Sequence, residues 1–276
     1  MRDQGKVSMI KCLVFTKERP LQFDAFLESL IFCSGIDESH IHVIAPDERY
    51  YKKLLQAYPA SNWYFESWFG GSFAEALKWV VFSRLSESDY LLFGCDDIVY
   101  THLFNLRTVE LLMRTLAPAN LLGFSLRLGT NIQGCDAIPE ENPIYRTWHW
   151  RRKPGHFGYP FELMATVYPV RLIREIISTL REIKVPNHLE VGGIQYCRAH
   201  ADATHLCMFN TPSYAVAQDV NRVQNYYPNA THGTEEQNPQ NLIAAYNRGA
   251  RLDWSNLFGI SPPDAFVGSQ YWKIVG

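Results

Sequence analysis

The chain has 276 residues, 47% of them hydrophobic and 20% charged, with 26 Lys+Arg against 28 Asp+Glu for a formal net charge of −2. That content supplies a sizeable core and excludes intrinsic disorder, and the near-balance of charge excludes nucleic-acid binding driven by overall charge. No apolar run approaches the roughly 18–20 residues of a membrane span. The opening MRDQGKVSM lacks the apolar stretch of a secretory signal, and three of the six cysteines (Cys12, Cys33, Cys95) lie in apolar stretches. These features predict a cytoplasmic protein with buried free thiols, no nucleic-acid partner and at most peripheral membrane association.

In chain order, Ile10–Thr16 (IKCLVFT) reads as a buried strand, and Pro20 suits the first turn of a helix whose Phe23, Phe26, Leu27, Leu30 and Ile31 share a face. His40–Ala45 is a second strand, ended by Pro46-Asp47, and a short helix over 48–57 leads to a third, Asn62–Trp68. Ser72 caps a helix carrying the stripe Phe73, Ala76, Leu77, Val80 and Val81. Asp89–Gly94 is a fourth strand running straight into Cys95-Asp96-Asp97, and a helix with Leu106, Val109, Leu112, Met113 and Leu116 inward precedes a fifth, Asn120–Leu128. Strands alternating with amphipathic helices predict an α/β fold, a mostly parallel sheet flanked by helices. Periodicity fails over 130–160, a stretch rich in Gly, Pro, Trp, Arg and His of the kind that marks a functional loop. Helices resume at Val170–Ile183, Asn187–Ala199 and Pro239–Asn247, the last closed by Gly249. No repeat or linker divides the chain, so one domain with an elaborated second half is expected.

Open α/β sheets bind ligands outside the carboxyl ends of their strands. Three such ends, Thr16-Lys17-Glu18-Arg19, Asp47 and Asp96-Asp97, fall on one rim. A carboxylate pair after a buried strand seats a hard cation such as Mg²⁺ or Mn²⁺, which takes one or two carboxylates plus phosphate oxygens. The same pair equally suits a turn. The segment Tyr145–Lys153 mixes four cations, including Arg151 and Arg152, with Trp148 and Trp150, a composition suited to pairing a phosphate and stacking a sugar or base. With Trp254 it predicts an aromatic sugar-binding surface.

The order of strand, T-K-E-R-P, helix, strand, P-D, helix and Y-L-L-F-G-C-D-D-I resembles the nucleotide-sugar domain of GT-A fold glycosyltransferases over roughly residues 8–130. Gly158-Tyr159-Pro160-Phe161, Val185–Glu190, Thr211–Tyr214 and Val220–Gln224 follow in an order similar to a bacterial group of such transferases. The resemblance implies a single GT-A domain over 1–276, with 8–130 as the nucleotide-sugar half and 131–276 as the acceptor half. It implies transfer from a nucleotide-diphosphate sugar to a glycan or glycolipid acceptor, assisted by Mn²⁺ or Mg²⁺ and inverting. Thr16, Lys17, Arg19, Asp47 and Asp96 would then hold the nucleotide, with Arg151 and Arg152 on the diphosphate. Asp97 would match the last carboxylate of the D-x-D motif and bind the metal, with His232 as a late ligand, while Cys95 stands where the motif has its first acid.

A transferase also needs a carboxylate to take the acceptor proton. The candidates are Glu190, to which the resemblance extends through P-N-x-x-E, and Glu162. With Asn187 as cap, Glu190 equally fits a capping box. A non-catalytic nucleotide-sugar or carbohydrate binder is the alternative favoured by Cys95. A sugar nucleotidyltransferase would want a Gly-rich loop after the first strand, which F-T-K-E-R-P lacks.

Overall fold

A computed structural model describes residues 9–200, 202–223, 231 and 233–276. Its centre is an eight-stranded sheet in the order β3-β2-β1-β4-β8-β6-β9-β7. The strands are β1 (Ile10–Phe15), β2 (Ile41–Ala45), β3 (Asn62–Phe65), β4 (Tyr90–Cys95), β6 (Leu121–Ser125), β7 (Tyr145–His149), β8 (Thr166–Pro169) and β9 (His205–Phe209). Only β7 and β8 run against their neighbours, so the other six point the same way. A smaller sheet, β12-β10-β5, joins β5 (Ile98–Tyr100) to β10 (Ala215–Gln218) and β12 (Phe266–Val267), and β11 (Arg251–Leu252) pairs with β13 (Ile274–Val275).

Alternation along the strands builds two cores, one on each face of the sheet. Cys12 and Val14 of β1 pack with α1 (Pro20–Ser34), α2 (Lys52–Ala57), α4 (Leu106–Leu116) and α7 (Pro239–Asn247) through Phe23, Phe26, Leu54, Val109, Met113 and Tyr246. Leu13 and Phe15 point the other way, to α3 (Phe73–Trp79), α5 (Val170–Thr179) and α6 (Pro186–His200). The expected α/β architecture, a mostly parallel sheet flanked by helices, is therefore what these residues form.

Three expectations change. Asn62–Trp68 is strand only to Phe65, after which Glu66–Phe69 turn as a 3-10 helix. The stretch 130–160 is not irregular throughout, because Tyr145–His149 form an edge strand paired with β9. The aromatic surface fails for two of its three tryptophans: Trp148 and Trp150 are each 2% exposed and donate their indole N–H groups to Phe157 O and Ala203 O, so they serve the core. Trp254 is half-buried against Phe32 and Phe258.

The six cysteines are all free thiols. No helix among the described residues is long and apolar enough to cross a membrane.

Candidate active site

Because β2, β1 and β4 are adjacent and parallel, their carboxyl ends share an edge, with Phe15 level with both Ile44 and Cys95. The three strand ends read from the sequence therefore do meet on one rim. Past Phe15 the chain must turn sharply, and Glu18 takes a left-handed conformation (φ 55°) that a side chain rarely adopts. The buried Tyr51 hydroxyl holds that turn, accepting from Glu18 N at 2.9 Å and sharing a hydrogen bond with Thr16 Oγ1 at 3.0 Å.

The turn delivers Arg19 into the site. Its Nη1 donates to Asp96 Oδ1 at 2.9 Å and to Asp97 Oδ2 at 3.1 Å, while Nη2 donates to Asn221 O. The second oxygen of Asp96 accepts from Lys17 N at 3.0 Å. Asp96 is thus a buried, fully partnered carboxylate, and burial pushes its pKa up against the opposing pull of Arg19. Asp97 differs: its Oδ1 is buried with no hydrogen-bond partner among the described residues. Arg19 Nε, Gln22 Oε1 and both amide atoms of Gln218 are buried and unpartnered as well. These residues belong to one connected cluster, since Gln218 N donates to Asp97 O and Gln22 Nε2 to Asn221 Oδ1. Buried polar atoms are almost always satisfied, so a concentration of orphans marks a place where a ligand completes the bonding.

The donor set suits a hard divalent cation. Asp97 Oδ1 is an oxygen ligand without a partner, one guanidinium leaves a carboxylate charge unbalanced, and such ions need few protein ligands when phosphate oxygens supply the rest. Asp96 instead has both oxygens engaged, by Arg19 and by Lys17 N. Among the described residues no group of three or more His, Cys, Asp and Glu side chains gathers to hold a metal unaided. His232 lies outside the described residues.

Glu162 and Glu190 lie on neighbouring segments. Glu162 is 4% exposed and fully engaged: Arg127 donates to Oε2 from Nε at 2.9 Å and from Nη2, and Thr166 Oγ1 donates to Oε1. Glu190 has one hydrogen bond, from Leu163 N at 3.4 Å, and remains half-buried. Burial first, then the negative charge of Glu162, raises its pKa to about 7, with Asp97 adding to the rise. The capping alternative is not what forms: α6 begins at Pro186, placing Asn187 inside its first turn, and the Glu190 carboxylate turns to Leu163 instead. Two glycines allow the approach, since a Cβ on Gly192 would collide with Leu180 and one on Gly193 with Phe161. Cys95 completes this wall, its thiol donating to Leu163 O at 3.5 Å.

Two of the sequence candidates sit elsewhere. Arg151 donates to Arg198 O at 2.9 Å and Cys197 O at 3.0 Å, capping the last turn of α6 at the opposite end from Glu190, and Arg152 is exposed beside it. Neither joins the Arg19, Asp96 and Asp97 cluster. Asp47 is on the rim but is gripped by Arg49, which donates from Nε at 2.9 Å and from Nη2 at 2.6 Å. Sequence reasoning missed Tyr51, Arg127, Gln218 and Asn221. The one signal available was polar residues breaking apolar runs, such as Arg127 within NLLGFSLRL.

No family model matches the chain. It is 25% identical over 264 residues to the bifunctional glycosyltransferase pgtA of Dictyostelium discoideum, an alignment covering 81% of this chain and 33% of pgtA. The chain thus spans about a third of the length of that curated relative. Among solved structures, S. aureus TarS 1–349 in complex with UDP-GlcNAc superposes with a TM-score of 0.46 at 13% identity, covering 81% of this chain and 61% of that one. A 4-diphosphocytidyl-2C-methyl-D-erythritol synthase from Anaerococcus prevotii superposes at 0.42 and 11% identity, covering 87% and 97%.

Proposed function

We propose that the chain is a glycosyltransferase that moves a sugar from a nucleotide-diphosphate donor to a hydroxyl of a glycan or glycolipid acceptor, with inversion at the anomeric carbon. The observation that carries this reading is the set of orphaned polar atoms around Arg19 and Asp97, with Glu190, its pKa raised to about 7, within electrostatic reach of Asp97. The alignment with a glycosyltransferase over four fifths of the chain supports it. The chain works as one domain, with residues 8–130 holding the donor and 131–276 the acceptor.

Thr16, Lys17, Asp47 and Asp96 line the nucleotide side, and Arg19 holds the carboxylates in place. Asp97 would hold Mg²⁺ or Mn²⁺, which supplies Lewis-acid stabilisation of the diphosphate charge. Ionised Glu190 accepts the proton of the acceptor hydroxyl as its oxygen bonds to the anomeric carbon. The bond from that carbon to the diphosphate oxygen breaks, and the nucleoside diphosphate leaves with the electron pair. Glu162, locked to Arg127, does not move a proton; its charge keeps Glu190 basic.

A thermal-shift panel of UDP-, GDP- and dTDP-sugars with and without Mn²⁺ tests the donor half. One donor should raise the melting temperature of the wild type by mass action, and Asp97→Ala should lose the Mn²⁺-dependent part. The reading fails if no donor shifts the wild type. Cys95 in place of the first acid favours a second reading, a binder without turnover, and absence of transfer or donor hydrolysis in samples that bind would select it.

A further inference from the structure

Beyond the donor site, the cations left over by the sequence motif Tyr145–Lys153 gather around a second feature. Trp150, Arg151, Lys153, Gly158 and Arg198 line an open pocket of about 360 Å³. No carboxylate among the described residues pairs with any of its three cations. Arg151 lies over the Trp150 ring, its guanidinium carbon 4.5 Å from the centroid, and among the described residues Lys153 Nζ bonds only to Ala137 O. A helix C-terminus ordinarily repels anions. Here Arg151 covers the carbonyls of Cys197 and Arg198, leaving positive charge facing the pocket.

We infer that this pocket is an anion subsite, and that the acceptor is a negatively charged sugar, bearing a phosphate or a carboxylate, whose charge docks between Arg198, Lys153 and Arg151. The inference rests on the glycosyltransferase reading. Glu190 and Arg198 are eight residues apart on α6, which places them about 12 Å apart along the axis and about 80° apart around it. Gly158 lines the pocket, and the hydroxyl of its neighbour Tyr159 is within electrostatic reach of Glu190, Glu162, Arg127 and Arg198. An acceptor anchored by its charge at Arg198 has to pass Tyr159 and run partly round α6 to bring a hydroxyl to the proposed base. Guanidinium groups pair well with phosphate and carboxylate, while the half-buried Tyr159 offers surface to a sugar ring.

Calorimetric titration at fixed ionic strength tests this on protein saturated with UDP and Mn²⁺, so that the donor site is closed to the probes. Glucose 6-phosphate, glucuronate and glucose are compared on the wild type and on Arg198→Gln/Lys153→Gln, both exposed or half-exposed positions whose replacement leaves the core intact. The expected result is binding of at least one anionic sugar tenfold or more tighter than glucose, with that advantage lost in the double variant. Preference for glucose 6-phosphate assigns a phosphate, and preference for glucuronate a carboxylate. Equal affinity for glucose and both anions, or an advantage undiminished in the double variant, overturns the subsite. Anion binding at this pocket in a protein that takes no nucleotide keeps the subsite and removes its role in glycosyl transfer, so the two readings fail separately.

Discussion

Glu162 and Glu190 show how surroundings divide labour between two like residues. Every oxygen of Glu162 has a charged or hydroxyl partner, whereas Glu190 has one backbone N–H and a repelling neighbour. Glu190→Gln should lower kcat on the order of 10²–10⁴-fold while donor binding persists. In the wild type, kcat/KM should rise with pH and level off above about 7, the value at which the proposed base ionises. Stability has the opposite sign. The fold raises the Glu190 pKa from 4.5 to about 7, so its contribution is whole below 4.5 and is lost as pH rises through 7. Glutamine mimics the protonated form, so thermal melts should show Glu190→Gln more stable than wild type at pH 8 and equal to it near pH 4.5. Glu162→Gln should behave otherwise, losing about 3–5 kcal/mol at neutral pH in chemical denaturation because it strands Arg127 in the interior. Equal stability losses in the two variants would show that the assignment of roles is wrong.

Helix α6 is the element on which the second half of the site depends, and its sequence contains the reason. Two adjacent glycines inside a helix cost about 1 kcal/mol each relative to alanine, and they are kept here where Phe161 and Leu180 leave no room for a Cβ. That close contact brings Glu190 to the Leu163 amide. Gly193→Ala should force α6 and the Phe161–Leu163 segment apart, costing about 1–3 kcal/mol by overpacking despite the better helix propensity, and slowing transfer more than it weakens donor binding. A melting temperature at or above wild type would contradict the packing. The same contrast explains which elements were legible in advance. The strands β1, β2 and β4 and the helices α1, α4 and α5 carry long apolar patterns that survive any tertiary context. The strands β5, β7, β8 and β10 are three to five residues long and exist because partners far along the chain complete them, as Phe209 does for Tyr145. The carboxylates Asp96 and Asp97 were legible because they end a strong strand, while Gln218 reaches Asp97 across about 120 residues, Asn221 reaches Arg19 across about two hundred, and neither leaves a local pattern.

At the scale of the whole molecule, one guanidinium joins the two halves. Arg19 binds the turn between β4 and β5 through both aspartates and the segment after β10 through Asn221 O, and Asn221 Nδ2 in turn donates to Gln237 O at 2.7 Å. A planar fork serves three acceptors at once; an ammonium at the end of a lysine cannot reach them together. Arg19→Lys should therefore keep a charge in the site yet release the later segment. Hydrogen exchange is expected to quicken selectively at residues 218–223 and 234–238, with α3 and α5 unchanged because they pack on the opposite face of the sheet through Phe73, Ile173 and Ile176. In the wild type, a bound nucleotide donor with Mn²⁺ should slow exchange in the same two stretches, since it would supply partners for Gln218 and Asp97 on either side of that bridge. Uniform acceleration across the chain in Arg19→Lys would mean the bridge holds the fold as a whole and not the closure of one half on the other.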